Sequence, residues 1–160
     1  MAKASDNSGD FGSFSDLASI KGNQVEKPKN LPDANYSAMI TGPFKENKAK
    51  SGNFSLRFPA KLVECLDESI AADIQADPRL QKAFGKDYHV DWWMSPDARY
   101  RFTSFCAAHG IDQELDLISM AEQLVASGAI FLVQGASQKN PDKPDDEGFF
   151  NLNNPAPLPA

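Results

Sequence analysis

The sequence predicts a mainly β fold with helices, a five-stranded Greek-key barrel with a helical insertion between its third and fourth strands. Three observations carry that expectation. Apolar residues through the middle of the chain mostly recur at every second position, which is the repeat of a strand with one buried face. Gly, Pro and charged clusters separate these runs. The clearest helical spacing falls between the third and fourth runs.

The first run starts after Leu31: Tyr36, Ala38 and Ile40 alternate with Ser37 and Thr41 and stop at Gly42-Pro43. Lys45 to Gly52 reads as a charged turn, and the second run follows, so the pair is expected to form a hairpin. In that second run Phe54, Leu56, Phe58, Ala60 and Leu62 share one face. Ser55, Arg57, Pro59 and Lys61 share the other, which is polar and basic. Pro59 lacks a ladder donor and points to a bulge or an edge. Asp67 to Gly85 reads as a mixed, partly helical connection marked by Ile70, Ile74 and Leu80 and interrupted at Pro78.

A third strand, Tyr88 to Met94, sets Tyr88, Val90, Trp92 and Met94 on one side and His89, Asp91 and Trp93 on the other. Ser95-Pro96-Asp97 has the form of a helix start, and His109-Gly110 that of its end. Phe102, Phe105, Cys106 and His109 repeat at three-to-four spacing, as a helix face packed on a sheet does. A second helix runs from about Ser119 to Ser127 and stops at Gly128. Ile130 to Gln134 and Gly148 to Leu152 are the last two strands, joined by an acidic loop through Asp142 to Glu147.

The folded unit therefore spans residues 31–152. Residues 1–30 are small and polar around the islands Phe11, Phe14, Leu17 and Ile20, and read as a flexible arm. Residues 153–160 read as an extended Pro-rich tail, which with Asn151 and Leu152 carries three prolines and no charge. One domain accounts for all 160 residues. No apolar run reaches the ~18 residues of a membrane-spanning helix, and the N-terminus lacks the apolar core of a signal segment. The chain is thus expected in the cytoplasm, with Cys65 and Cys106 as buried thiols.

Five strands with a helix between the third and fourth is the order of the OB-fold, a small barrel that commonly binds oligonucleotides. The chain also resembles a family of phage-encoded OB-fold proteins regarded as single-stranded DNA-binding proteins of replication and recombination modules. The residues that carry the resemblance are Leu31-Pro-Asp-Ala-Asn-Tyr36, Lys48-Ala-Lys-Ser-Gly-Asn53 and the helix Tyr100 to His109 running into Gly110-Ile-Asp112. Leu124-Val-Ala-Ser-Gly-Ala-Ile-Phe131 and Gly148-Phe-Phe-Asn-Leu152 extend it to the last two strands. The chain departs from the family in its long insertion between strands two and three. It also departs from bacterial single-strand binders in having no acidic C-terminal tail. The resemblance implies a bacteriophage protein in the cytoplasm of the host cell, working beside phage or host replication and recombination proteins, with a homo-oligomer open to it.

A sequence-tolerant single-strand binder needs cations along a groove and aromatic faces for the bases. The formal charge of −6 opposes a wholly basic coat, but the charge is segregated. From Leu31 to Leu66, Lys45, Lys48, Lys50, Arg57 and Lys61 face only Asp33, Glu46 and Glu64, a local +2. These five cations, with Arg99 and Arg101 as an extension, are the candidate phosphate contacts. Trp93 is the candidate stacking residue, with His89 beside it; a one-residue slip of register would expose Trp92 instead. Phe44 and Phe149 or Phe150 stand at strand ends near the expected cleft, and at least one of the latter pair is expected in the core. No catalytic, metal-binding or cofactor-binding spacing appears: His89 and His109 neighbour neither each other nor a cysteine in sequence, and the acidic loop lacks the ligand period of a calcium site. The expectation is a non-catalytic protein without cofactor or metal that coats single-stranded DNA. The alternative is a phage structural or adaptor protein that uses the barrel as an interaction scaffold and its arm and tail as clips.

Overall fold

The computed structural model describes residues 14–24, 28–139, 141–142 and 148–159. Phe11 and most of the acidic loop up to Glu147 lie outside the described residues.

Alternating sequence becomes alternating burial. β1 (Ala34–Ile40), β2 (Lys45–Lys48), β3 (Phe54–Cys65), β4 (Tyr88–Trp93), β5 (Ile130–Gln138) and β6 (Phe149–Pro157) form one antiparallel sheet. Its order is β2-β3-β1-β5-β6, and β4 pairs with the other edge of β3. The protein is thus mainly β, with α1 (Glu68–Ala76) and α2 (Pro78–Phe84) between β3 and β4, and α3 (Arg99–Ala108) and α4 (Leu117–Ser127) between β4 and β5. β4 and β6 approach each other, but no ladder joins them among the described residues, so the expected five-stranded barrel is instead a six-stranded open sheet with a seam.

The inward residues of β3 and β4 meet α3 in an aromatic cluster. Phe58 stands edge-on to Trp92 at 5.4 Å, Trp92 lies 4.8 Å from Phe105, and Phe105 meets Phe131 of β5 edge-on at 5.3 Å. Each such buried ring contributes about 1.5–3 kcal/mol. Two phenols, Tyr36 fully buried and Tyr88 partly so, close the other end of the core. Tyr36 donates to the Pro32 carbonyl and Tyr88 to the Ala83 carbonyl at 2.6 Å, and burial pushes the Tyr88 phenol up to about 12. Gly135 is required there, because a Cβ on it would stand 2.8 Å from the Tyr36 ring and collide with Phe150.

Local chemistry explains the helix ends. Asp67 caps α1 through the Ser69 and Ile70 amides, Asp77 caps α2 through the Arg79 amide ahead of Pro78 at the first helical position, and Asp116 caps α4 through the Ser119 amide. The Ser69 hydroxyl with the capped amides holds the Asp67 carboxyl below the ordinary aspartate value, the Arg79 amide does so for Asp77, and the Ser119 amide and hydroxyl do so for Asp116. Gly128 ends α4 with φ 65°.

Several expectations are corrected. Lys45 to Lys48 is a strand, and the turn is confined to Ala49 to Gly52, closed by the Gly52 amide on the Ala49 carbonyl. Ser55 is fully buried rather than on an open polar face. Ser95-Pro96-Asp97 forms the turn ahead of α3, which begins at Arg99 with no side-chain cap. α4 starts two residues early, at Leu117. The tail is mostly strand: Asn153 to Pro157 continue β6 along β5 past an irregularity in register between Leu132 and Gln134, with Asn154 at φ 51°. Prolines are tolerated there because a bulge and an edge leave their missing donors unneeded. Pro59 owes its place to a handover. β2 pairs with Phe54 to Arg57 and β1 takes over at Ala60, and the Pro59 carbonyl accepts from the Thr41 amide in the gap. The folded unit also begins before Leu31, since Lys29 binds Asp77 and Asn30 binds Ser137 and the Gly148 carbonyl.

Candidate nucleic-acid interface

Register places the outward residues of β2, β3 and β4 in rows. Lys45 lies opposite Arg57, and Arg57 opposite Asp91. The next row is Asn47, Ser55 and Trp93. Pro59 and His89 make a third pair.

The middle of this face is a polar cluster. The Arg57 guanidinium grips Asp91 in a two-point pair, Nε to Oδ1 at 2.9 Å and Nη2 to Oδ2 at 3.0 Å. Ser55 donates to the same carboxylate at 3.2 Å, and Asn47 donates to Ser55 at 3.4 Å. His89 Nε2 stands 3.8 Å from Asp91 Oδ2. The bond to Asp91 raises the Arg57 pKa. Partial burial, joined by the positive charges of Arg57 and Lys45 and only partly offset by Asp91, lowers that of His89. The histidine is therefore neutral near pH 7.

This cluster forms one wall of a cleft of about 660 Å³ along the seam between β4 and β6. The other wall is β6, with Phe149, Asn151, Asn153 and Asn154. A second groove of about 680 Å³ continues on the far side of Trp93, bounded by Tyr100 and Arg101 of α3 and by Pro155 and Pro157. Trp93 lines both, together with Asp91, Asn154 and Pro155. It is 39 % exposed, whereas Trp92 is 4 % exposed, which settles the orientation of β4. Phe149 is 83 % exposed and Phe150 packs edge-on against Tyr36 and Tyr88, so one of the pair is surface and the other core.

The expected cations do not form one stripe. Because β2 is a strand, Lys45 and Lys48 point to opposite faces, and only Lys45 joins the Arg57 row. Lys50 is exposed in the turn. Arg57 is neutralised by Asp91, and Lys61 is held by the Gly85 carbonyl at 2.9 Å and Asp87 at 3.3 Å. Arg99 donates to the Met94 carbonyl at 2.8 Å and so fastens α3 to the end of β4. Phe44 is a core residue, half-buried with its ring 5.5 Å from Phe58. Lys45, Lys48, Lys50 and Arg101 form no ion pair with another described residue.

Tyr100 was not singled out by the sequence pattern, yet it is 59 % exposed beside Trp93's groove, with the Arg101 guanidinium 5.6 Å from its ring centre. Its signal was available: on a helix whose buried face is Phe102, Phe105 and Cys106, position 100 falls on the opposite side.

Groups suited to covalent or metal chemistry are not assembled here. Cys65 and Cys106 are buried thiols, and burial pushes Cys106 up to about 12. Among the described residues no three His, Cys, Asp or Glu side chains come together as a metal site. His109 packs on the Phe105 ring and bonds its carbonyl, far from the cleft in role. Among the described residues no helix is long and apolar enough to cross a membrane. What the two grooves offer is aromatic faces, side-chain amides, the Arg57–Asp91 pair, the Asp87 carboxylate and, in the second groove, the Arg101 guanidinium. No protein-family model matches the chain, and a search of curated proteins returns no significant match.

Proposed function

We propose that the protein is a non-catalytic single-stranded DNA-binding protein, with little sequence preference, that coats DNA in phage replication, recombination and repair. The observation that carries the reading is Trp93, exposed between two confluent grooves and flanked by Phe149 and Tyr100. Flat aromatic faces stack any base, each stack contributing about 1–3 kcal/mol, which suits a binder indifferent to sequence. For phosphates the reading draws on Arg101, which lines the second groove, and on Lys45, one strand beyond Arg57 and outside the lining of either groove, with Lys48 and Lys50 extending the positive charge along the β2 turn. Arg57 is a donor already oriented by Asp91 rather than a free cation. The strand order supports an OB-like barrel. β3 pairs with both β1 and β4, β1 with β5, and β5 with β6, and the cleft lies where closure between β4 and β6 would complete the circle. The resemblance to phage single-strand binders agrees with this placement.

Titration of labelled oligo-dT at several salt concentrations tests the reading. Binding at low salt that weakens steadily as salt rises supports it, and duplex of the same length should bind less well. Absence of binding at low salt would overturn it. The rival reading, a phage structural or adaptor protein, is favoured by the uncovered apolar residues Phe14, Leu17 and Ile20.

A further inference from the structure

Phe14–Ser19 form a short 3-10 helix, and the Ile20 amide continues it with a bond to the Leu17 carbonyl at 3.4 Å. At three residues per turn, Phe14, Leu17 and Ile20 fall on one line. None is covered by its own chain: they are 89, 64 and 48 % exposed. An apolar ridge of this kind on a surface marks an interaction site.

The ridge rejoins the domain beside a groove that it matches. Lys29 binds Asp77 at 3.3 Å, at the junction of α1 and α2. The same helices and β3 enclose an apolar groove of about 390 Å³ that includes Cys65, Ile74 and Phe84, with exposed Val63 and Glu64 along it. We propose that this groove takes the Phe14–Leu17–Ile20 ridge of a second copy of the chain.

The choice of a second copy follows from three features. The ridge is uncovered although its own groove is close to its anchor point. The eight residues 21–28 between Ile20 and Lys29 span up to about 26 Å at roughly 3.3 Å per residue, enough to leave one domain and reach another. The charges flanking the contact are opposite in sign at one end, where Lys21 follows the ridge and Glu64 lines the groove with Glu68 and Asp73 on α1, while Asp16 lies within the ridge helix. Because ridge and groove are different patches, the contact is heterologous and propagates from copy to copy. A row of copies suits continuous cover of a strand; that consequence rests on the DNA reading, whereas the self-association does not.

The test is sedimentation of the full chain without nucleic acid, as wild type, as a Phe14→Ser/Leu17→Ser ridge variant and as a Val63→Glu groove variant. All three positions are exposed, and thermal melting by circular dichroism checks that the variants stay folded. Wild type should associate with rising concentration, and each variant should associate at least about tenfold more weakly. An equimolar mixture of the two variants should recover association but stop at a dimer, since it holds one intact ridge and one intact groove per pair. A wild type that stays monomeric, variants that associate like wild type, or a mixture no different from its separate components would overturn the proposal. Affinity for an oligonucleotide covering one copy, measured on the same variants, reads the DNA reading separately.

Discussion

The two faces of β3 and β4 are built from the same two strands and differ in what happens at each ring and each charge. Inward, Phe58, Val90 and Trp92 are buried, and the Phe58 and Trp92 rings pack on each other and on Phe102 of α3. Outward, Trp93 has open space on both sides, Arg57 and Ser55 bond the Asp91 carboxylate, and His89 stands 3.8 Å from it. On the proposed reading, stability and recognition are segregated by strand parity. The inner face would lose fold if altered, whereas the outer face holds its polar groups in place through one another and leaves the Trp93 ring exposed.

The strongest way to break this comparison is to exchange the fates of the two tryptophans. Trp92→Ala should destabilise the protein by about 3–5 kcal/mol in chemical denaturation. Trp93→Ala should change stability by about 1 kcal/mol or less and weaken oligo-dT binding by about 1–3 kcal/mol. Equal losses of stability would show that both rings are structural. Gly135→Ala tests the inner face from β5: with the Tyr36 and Phe150 rings in the way, the added methyl should cost about 1–3 kcal/mol of stability, read from the same denaturation curves.

The Arg57–Asp91 pair sharpens the outer face. Asp91→Asn removes the carboxylate and frees a cation in the cleft, so affinity for single strands should rise. The slope of log affinity against log salt should steepen by about 0.7, one further phosphate contact. An unchanged slope would place Arg57 outside the DNA path. The smallest effect belongs to His89. Its pKa lies below the ordinary 6.5, so it is neutral at pH 7 and gains a positive charge only on acidification. Affinity for oligo-dT should therefore rise as pH falls below 6.5, and His89→Gln should flatten that dependence, as fluorescence anisotropy across the range would show.

What the sequence made legible follows from the same parity. β1, β3 and β4 have apolar residues at alternate positions because one side of each is buried, and this pattern also identifies Trp93 as the outward ring. β2 was hidden because Lys45-Glu-Asn-Lys48 is exposed except for half-buried Asn47 and packs no side chain in the core; it is held by backbone pairing to β3. The second half of β6 was hidden because Asn and Pro are turn-formers by composition, and only the bulge opposite Leu132 and Gln134 makes them acceptable in a strand. At the site, aromatic exposure was partly readable, but charge pairing was not. Arg57 and Asp91 are separated by 34 positions, and Lys61 meets Asp87 only through the α1–α2 connection, so two of the five cations of the basic stripe are ion-paired in space.

The proposed function requires single-stranded DNA to stack on Trp93 in the seam cleft. Intrinsic tryptophan fluorescence reads this directly, because Trp93 is 39 % exposed and Trp92 only 4 %. Titration of the wild type with oligo-dT at low salt should quench emission saturably, salt should reverse the quench, and Trp93→Phe should abolish most of it while retaining binding. Emission unchanged by oligo-dT at low salt, or a quench as large in Trp93→Phe as in the wild type, would contradict the account.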